Sequence, residues 1–338
     1  MRADLQGSPL YKPPSSQHLN LALNENFYMP WHEVLAGKID EIAKDIPFHQ
    51  YGTSSYEQLI ARFANYVGVT PEEVLPASGS DSLIPYLIGA LSARTVVTFD
   101  VDFFRYGQFA KFFQREHVKA PIADGIDGLI ETANAHQAEL ILLSNPNNPL
   151  GIAWGQGALI ELLEEVTCYV VIDEAYAEYH GESVVNLISK YPKLIVLRTL
   201  SKSWGLARLR VGFMLANPAL IQFISAVRGP FTLSDLNARI GAHVLAHEDL
   251  MREAVQKTIQ TREQFSAFLQ TYQVKVYPST ANFVYVEVAD ARAIAARLLE
   301  DGMAVAVFGE NGLRVTIGTE AQMTRLEDSL AKYLPSKK

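Results

Sequence analysis

The sequence predicts an α/β protein whose mostly parallel β-sheet is sandwiched by helices, joined to a smaller α+β domain. Three observations carry that prediction. Short apolar runs recur along the first two thirds of the chain with helical segments between them. The rhythm changes after about residue 235. And 338 residues, 49% of them hydrophobic, can bury a large core.

Taken in order, residues 95–99, 140–143, 169–172, 194–197 and 211–215 read as strands. They are continuous apolar runs, as a parallel sheet covered on both faces requires. Residues 158–165 are one of the intervening helices. Beyond residue 235, a long polar–apolar helical stretch from Leu236 to about Tyr272 leads to strands at 282–288, 303–308 and 313–317. A helical segment at 291–299 stands among them.

Several of these elements end in residues that carry chemistry. Lys202 follows the run 194–197 in Arg198-Thr-Leu-Ser-Lys202, with Arg210 eight residues on. A lysine there can hold an aldehyde cofactor as an imine while hydroxyls and a guanidinium bind its phosphate; an exposed loop lysine is the alternative. Asp173 ends the run Tyr169-Val-Val-Ile172 at the carboxyl edge of a sheet, where it would keep a pyridine nitrogen protonated or merely cap the next helix. Asn148 lies in the turn Ser144-Asn-Pro-Asn-Asn-Pro149, suited to donating its amide to a phenolate oxygen or to a purely structural role. Gly79, Ser80 and Asp81 occupy a helix start whose free amides favour a phosphate, though Ser and Asp are also ordinary N-caps. Arg314, in an alternating strand, suits a substrate carboxylate or phosphate, with a surface salt bridge as the competing fate.

Together with Leu21-Ala-Leu-Asn-Glu-Asn26, Tyr51 and Asp173-Glu-Ala-Tyr176, these motifs resemble the fold-type I pyridoxal-phosphate enzymes. Among them the likeness is greatest to the histidinol-phosphate aminotransferase group of the class I/II aminotransferases, and it spans nearly the whole chain. The resemblance implies Lys202 as the Schiff-base lysine and Asp173 as partner of the pyridine nitrogen. It gives Asn148 and Tyr176 to the ring hydroxyl, and Gly79, Ser80, Asp81, Thr199, Ser201 and Arg210 to the phosphate cup. It makes Phe103 the aromatic stacked on the ring, with Tyr106 as its substitute, and Arg314 and Asn24 substrate-binding residues. Tyr51 would reach the cofactor phosphate of a neighbouring subunit, so a homodimer with shared sites is implied. The implied division is a large cofactor-binding domain over residues 27–235 and a small domain from 1–26 plus 236–338. The implied reaction moves an amino group from a donor such as histidinol phosphate to 2-oxoglutarate. A phosphothreonine-type decarboxylase, an aminotransferase for aromatic amino acids and a non-catalytic relative are the alternatives.

The chain departs from the family pattern at four places. Gly52 stands where Pro usually follows the tyrosine, Ser82 where an acid usually follows the phosphate-turn Asp, and Arg208 where Gly is usual. The segment Asp100-Val-Asp-Phe-Phe-Arg-Tyr106 lacks the usual Pro-Thr before the stacking aromatic.

Composition agrees with an enzyme of small molecules. A net charge of -8 without a long basic block argues against nucleic-acid binding. The lone Cys168 excludes an intrachain disulfide and fits a reducing cytoplasm. No leader-like stretch stands at residues 1–16 and no run of ~18 apolar residues occurs, so neither secretion nor membrane spanning is expected. His243 and His247 share a helix face, but no Glu follows His243 in the metalloprotease arrangement, and no metal site is expected.

Overall fold

Successive residues of the central strands enter opposite cores. Val97, Phe99, Ile141, Leu143, Val170 and Ile172 join one apolar cluster, while Val96, Leu140, Leu142 and Val171 join the other. The computed structural model describes residues 17–52 and 55–336. The stretch 1–16, read above for a leader, lies outside them. Among the described residues the strands are β1 (Leu19–Leu21), β2 (Val74–Ala77), β3 (Thr95–Phe99), β4 (Glu116–Ala120), β5 (Leu140–Ser144), β6 (Tyr169–Asp173), β7 (Leu194–Thr199), β8 (Gly212–Ala216), β9 (Lys275–Val276), β10 (Phe283–Glu287), β11 (Met303–Phe308) and β12 (Gly312–Thr316).

The larger sheet has the order β2-β8-β7-β6-β5-β3-β4. Strands β4, β3, β5, β6 and β7 are parallel; β8 runs antiparallel to both β7 and β2. Apart from the edge strand β2, chain order therefore runs outward in both directions from the β3/β5 junction, and an open α/β sheet forms its ligand crevice at such a switch point, beyond the strands' carboxyl ends. The register brings those ends together: Ser144 lies opposite Asp173, Asp173 opposite Leu197, and Thr199 opposite Gly212.

The second sheet has the order β1-β11-β12-β10-β9, with β1 parallel to β11 and the other pairs antiparallel. Leu21, Val284, Val286, Leu313 and Val315 form its core with Leu298 of the helix Ala291–Glu300 and Leu326 of the helix Glu320–Tyr333. The latter helix opens on a capping box between Thr319 and Gln322.

The helical stretch expected from Leu236 to about Tyr272 is two helices, Asp235–Val244 and Glu248–Gln270. The break at residues 245–247 has a local cause: His247 leaves helical geometry, and Glu248 and Asp249 open the next helix, where carboxylates complement the free amides. Ala238, Ile240, Ala242 and Val244 bury into a core of the larger sheet.

The two sheets meet through specific bonds. Thr280 N donates to Gly151 O at 2.9 Å, and Asn26 Nδ2 to Ser203 O at 2.7 Å. Among the described residues no helix is long and apolar enough to cross a membrane.

Candidate active site

Strand β6 delivers Asp173 into the crevice with 6% of its surface exposed. Its carboxylate accepts from Tyr106 Oη at 3.2 Å and from Ala175 N at 3.2 Å. Burial raises its pKa to about 6, against the lowering effect of the Tyr106 hydrogen bond. The strand end is pinned from behind. Glu174 is buried and ion-paired with Arg198 at 3.2 Å, and Arg198 reaches Glu178 at 2.5 Å.

Lys202 follows β7. Its Nζ donates to Leu23 O at 2.8 Å and lies 5.8 Å from the Tyr176 ring centroid. Burial first, and then the Arg314 cation, lower its pKa to about 8. At neutral to mildly basic pH a useful fraction of this amine is therefore unprotonated, as a nucleophile or base requires.

The segment from Ala22 to Asn26 laces across the same place. Asn24, 1% exposed and in left-handed backbone at φ 56°, donates through Nδ2 to Tyr176 Oη at 2.8 Å. Its backbone N donates to Thr316 Oγ1 at 2.9 Å, and Asn282 Nδ2 donates to its carbonyl at 3.0 Å. Asn24, expected at the substrate, thus spends its side chain in this structure on Tyr176 and Thr316. Arg314 is buried, with Nη1 on Asn148 Oδ1 at 2.5 Å, Nη2 on Ala22 O at 2.5 Å, and its guanidinium 5.3 Å from the Phe283 and Phe308 rings.

A second group of residues forms a cup at the start of β8. Arg210 Nη2 meets Asp81 Oδ1 at 2.6 Å and Nη1 lies 3.4 Å from Ser201 Oγ, which accepts from Thr199 Oγ1 at 3.0 Å. Arg210 takes left-handed backbone at φ 54°, a strained choice for a non-glycine residue. Gly79 has φ 84°, and a Cβ built on it would stand 2.3 Å from Arg210 Nη2. Only glycine lets the turn and the guanidinium approach this closely. A cavity of about 650 Å³ adjoins the cup, bordered by Asp81, Arg210, Arg105 and Arg228.

The two expected aromatics are placed differently. Phe103 is half-buried and meets Tyr106 edge to face at 5.6 Å. Tyr51 is 77% exposed and stacks on Phe231 at 4.4 Å, away from the residues that gather around Lys202 in its own chain. Arg208 is exposed to solvent.

The family model described as aminotransferase class I and II matches residues 16–330. The chain belongs to the class I and II aminotransferases. It is 31% identical to a histidinol-phosphate aminotransferase of Clostridium kluyveri over 96% of each chain. Its fold matches the crystal structure of the histidinol-phosphate aminotransferase of Sinorhizobium meliloti in complex with pyridoxal 5'-phosphate at a TM-score of 0.88 and 25% identity, covering 98% of this chain and 96% of that one. An L-threonine-O-3-phosphate decarboxylase of Porphyromonas gingivalis, at TM-score 0.82 and 19% identity over 93% and 99% of the two chains, shares the fold.

This aminotransferase is an enzyme of the pyridoxal 5'-phosphate-dependent kind, and its residues fit that cofactor. A buried carboxylate suits a cationic ring nitrogen, an amine of lowered pKa suits an aldehyde, and the glycine-floored cup of hydroxyls and guanidinium suits a phosphate. Among the described residues no group of three or more His, Cys, Asp or Glu is placed to hold a metal ion.

Tyr106 was expected only as the substitute for Phe103, and its role as donor to Asp173 was not legible; nor were Thr316, Asn282 and Arg198 as supports. For Thr316 a signal existed: it lies two residues beyond Arg314, on the same face of β12. For Arg198 it was a lone charge inside an apolar strand.

Proposed function

We propose that this aminotransferase transfers an amino group between histidinol phosphate and 2-oxoglutarate, with Lys202 as the lysine that holds the cofactor and moves the proton. The arrangement that carries the reading is Lys202 and Asp173 at adjacent strand ends, with Asn148 bonded to Arg314 beside them. When bound, the cofactor supplies an aldehyde carbon for amine exchange and a ring that delocalises the electron pair left at the substrate Cα.

The protein's own residues do the rest. Asp173 holds a proton on the ring nitrogen. Lys202 would hold the aldehyde and, with its amine free, would carry the proton between the substrate Cα and the cofactor side. Asn148 gives its Oδ1 to Arg314, which leaves its amide to donate to the ring oxygen. Tyr176 Oη accepts from Asn24, which leaves its own proton to donate to that same oxygen. Ser80, Asp81, Thr199, Ser201 and Arg210 serve the phosphate. Phe103 stacks on the ring, a reading supported by Tyr106 being buried with its hydroxyl spent on Asp173. Arg314 binds the anionic group of donor and acceptor in turn.

Histidinol phosphate is the favoured donor because relatives matching this chain at about 31% identity bear that name, whereas the decarboxylase likeness reaches the fold alone. A homodimer is favoured by the exposure of Tyr51, Phe48 and Phe231, and a reducing cytoplasm by the single, buried Cys168.

The test is a half-reaction screen. Amines are added singly to the cofactor-loaded protein while the visible absorption of the bound cofactor is followed and carbon dioxide is measured. Histidinol phosphate should react fastest, without gas release. A faster reaction with an aromatic amino acid, or carbon dioxide from O-phosphothreonine, would overturn the donor assignment.

A further inference from the structure

The segment from Asp100 to Tyr106, one of the four departures from the family pattern, places a carboxylate at the switch point between β3 and β5. Asp102 accepts from Phe103 N at 2.7 Å, from Ser144 N at 3.2 Å, and from Ser144 Oγ. When ionised, Asp102 only accepts, so the Ser144 hydroxyl proton is committed to it and the serine lone pairs face the other way. They receive Asn148 N at 2.9 Å. Asn148 Oδ1 in turn receives Arg314 Nη1 at 2.5 Å. A second bond, from Asn147 Nδ2 to Val101 O at 3.0 Å, joins the same two loops.

We propose that Asp102 is a positioning residue for cofactor and substrate together, orienting Ser144 and through it the Asn148 that serves both the cofactor ring and Arg314. This rests on the roles proposed above for Asn148 and Arg314. Nothing in the connectivity of the loop demands a charge here. Burial raises the pKa of Asp102 to about 7, and the Asp173 charge adds to that cost. A loop cap alone would be served by a neutral acceptor without it. The network gives the charge a use, because an ionised acceptor fixes the direction of every hydrogen bond along the path.

The test compares Asp102→Ala, Asp102→Asn and Ser144→Ala. Three quantities are read: the dissociation constant of pyridoxal phosphate from the protein, KM against kcat for 2-oxoglutarate, and the melting temperature of the cofactor-free protein. Loss of a charge-assisted hydrogen bond should raise both the dissociation constant and KM roughly tenfold for Asp102→Ala, with a smaller change in kcat. Asp102→Asn, which keeps the shape without the charge, should show most of that loss. Ser144→Ala should reproduce it, and the double variant should add nothing, since both break one path. If Asp102→Ala does not fold, Asp102→Asn against Ser144→Ala gives the same comparison. The inference is overturned if only the melting temperature moves, or if the two losses add. Arg314→Met separates the two levels. If it leaves KM for 2-oxoglutarate unchanged, the site reading falls and the inference with it; if it raises KM while Asp102→Ala does not, the inference alone falls.

Discussion

Burial governs Asp173 before any neighbour does. In the folded, cofactor-free protein its carboxyl binds a proton up to about pH 6, against an ordinary value of 3.8. A raised carboxyl pKa contributes stability that is present below about pH 3.8 and lost as pH rises through about 6. Asp173→Asn should therefore stabilise the cofactor-free protein at neutral pH by on the order of 2–3 kcal/mol, with the gain fading as pH falls toward 4. Thermal melts of both proteins across that range check this, and a gain independent of pH would contradict it. The same variant should lose activity, because an amide cannot keep the ring nitrogen protonated. At this scale most of the candidate site was legible. Lys202, Asp173 and Arg314 each stand where an apolar run ends or alternates, and charge in such a place is costly. Partnerships were not: Asn24 and Tyr176 are 152 residues apart and Asn148 and Arg314 are 166 apart, pairings that no local pattern encodes.

The site's elements are strand ends, and the turn at Gly79 is held against β8 by the lack of a side chain at Gly212. A Cβ there would stand 2.1 Å from Ser80 N and 2.5 Å from Gly79 C, both backbone atoms that a rotamer change cannot move. Gly212→Ala should thus displace the phosphate turn and weaken cofactor binding by roughly tenfold or more while the protein still folds. Gly157→Ala is the control. Its Cβ meets nothing within 4 Å in the helix Gln156–Glu165, so cofactor affinity should stay the same. Titration with pyridoxal phosphate distinguishes them, and equal affinities in both variants would contradict the packing argument. The central strands were readable because burial on both faces removes alternation and leaves one apolar run per strand. The break at residues 245–247 was not, because apolar spacing continues across it and only the change from His247 to Glu248 marks a new start.

Across the whole molecule, a strand order that reverses between β3 and β5 gathers the chemistry at one crevice, and the second sheet closes it with Arg314 and the Ala22–Asn26 segment. Tyr51 is the residue this arrangement leaves out, exposed beside Phe231. If it completes the site of a second copy, Lys202→Ala and Tyr51→Ala lie in different chains of each shared site. Mixing the two variants under subunit exchange should then restore turnover that neither has alone, whereas a mixture no better than the sum of its parts would contradict shared sites. Hydrophobic patterning does not decide this, since an interface residue and a solvent-facing one look alike within a single chain.

The central claim is that Lys202 is the covalent anchor of the cofactor. Borohydride reduction of the loaded protein, followed by digestion and mass analysis of every peptide, tests it most directly. The account predicts the pyridoxyl mass on the peptide containing Lys202 and its disappearance in Lys202→Ala; the mass on another lysine, or on none, would contradict it.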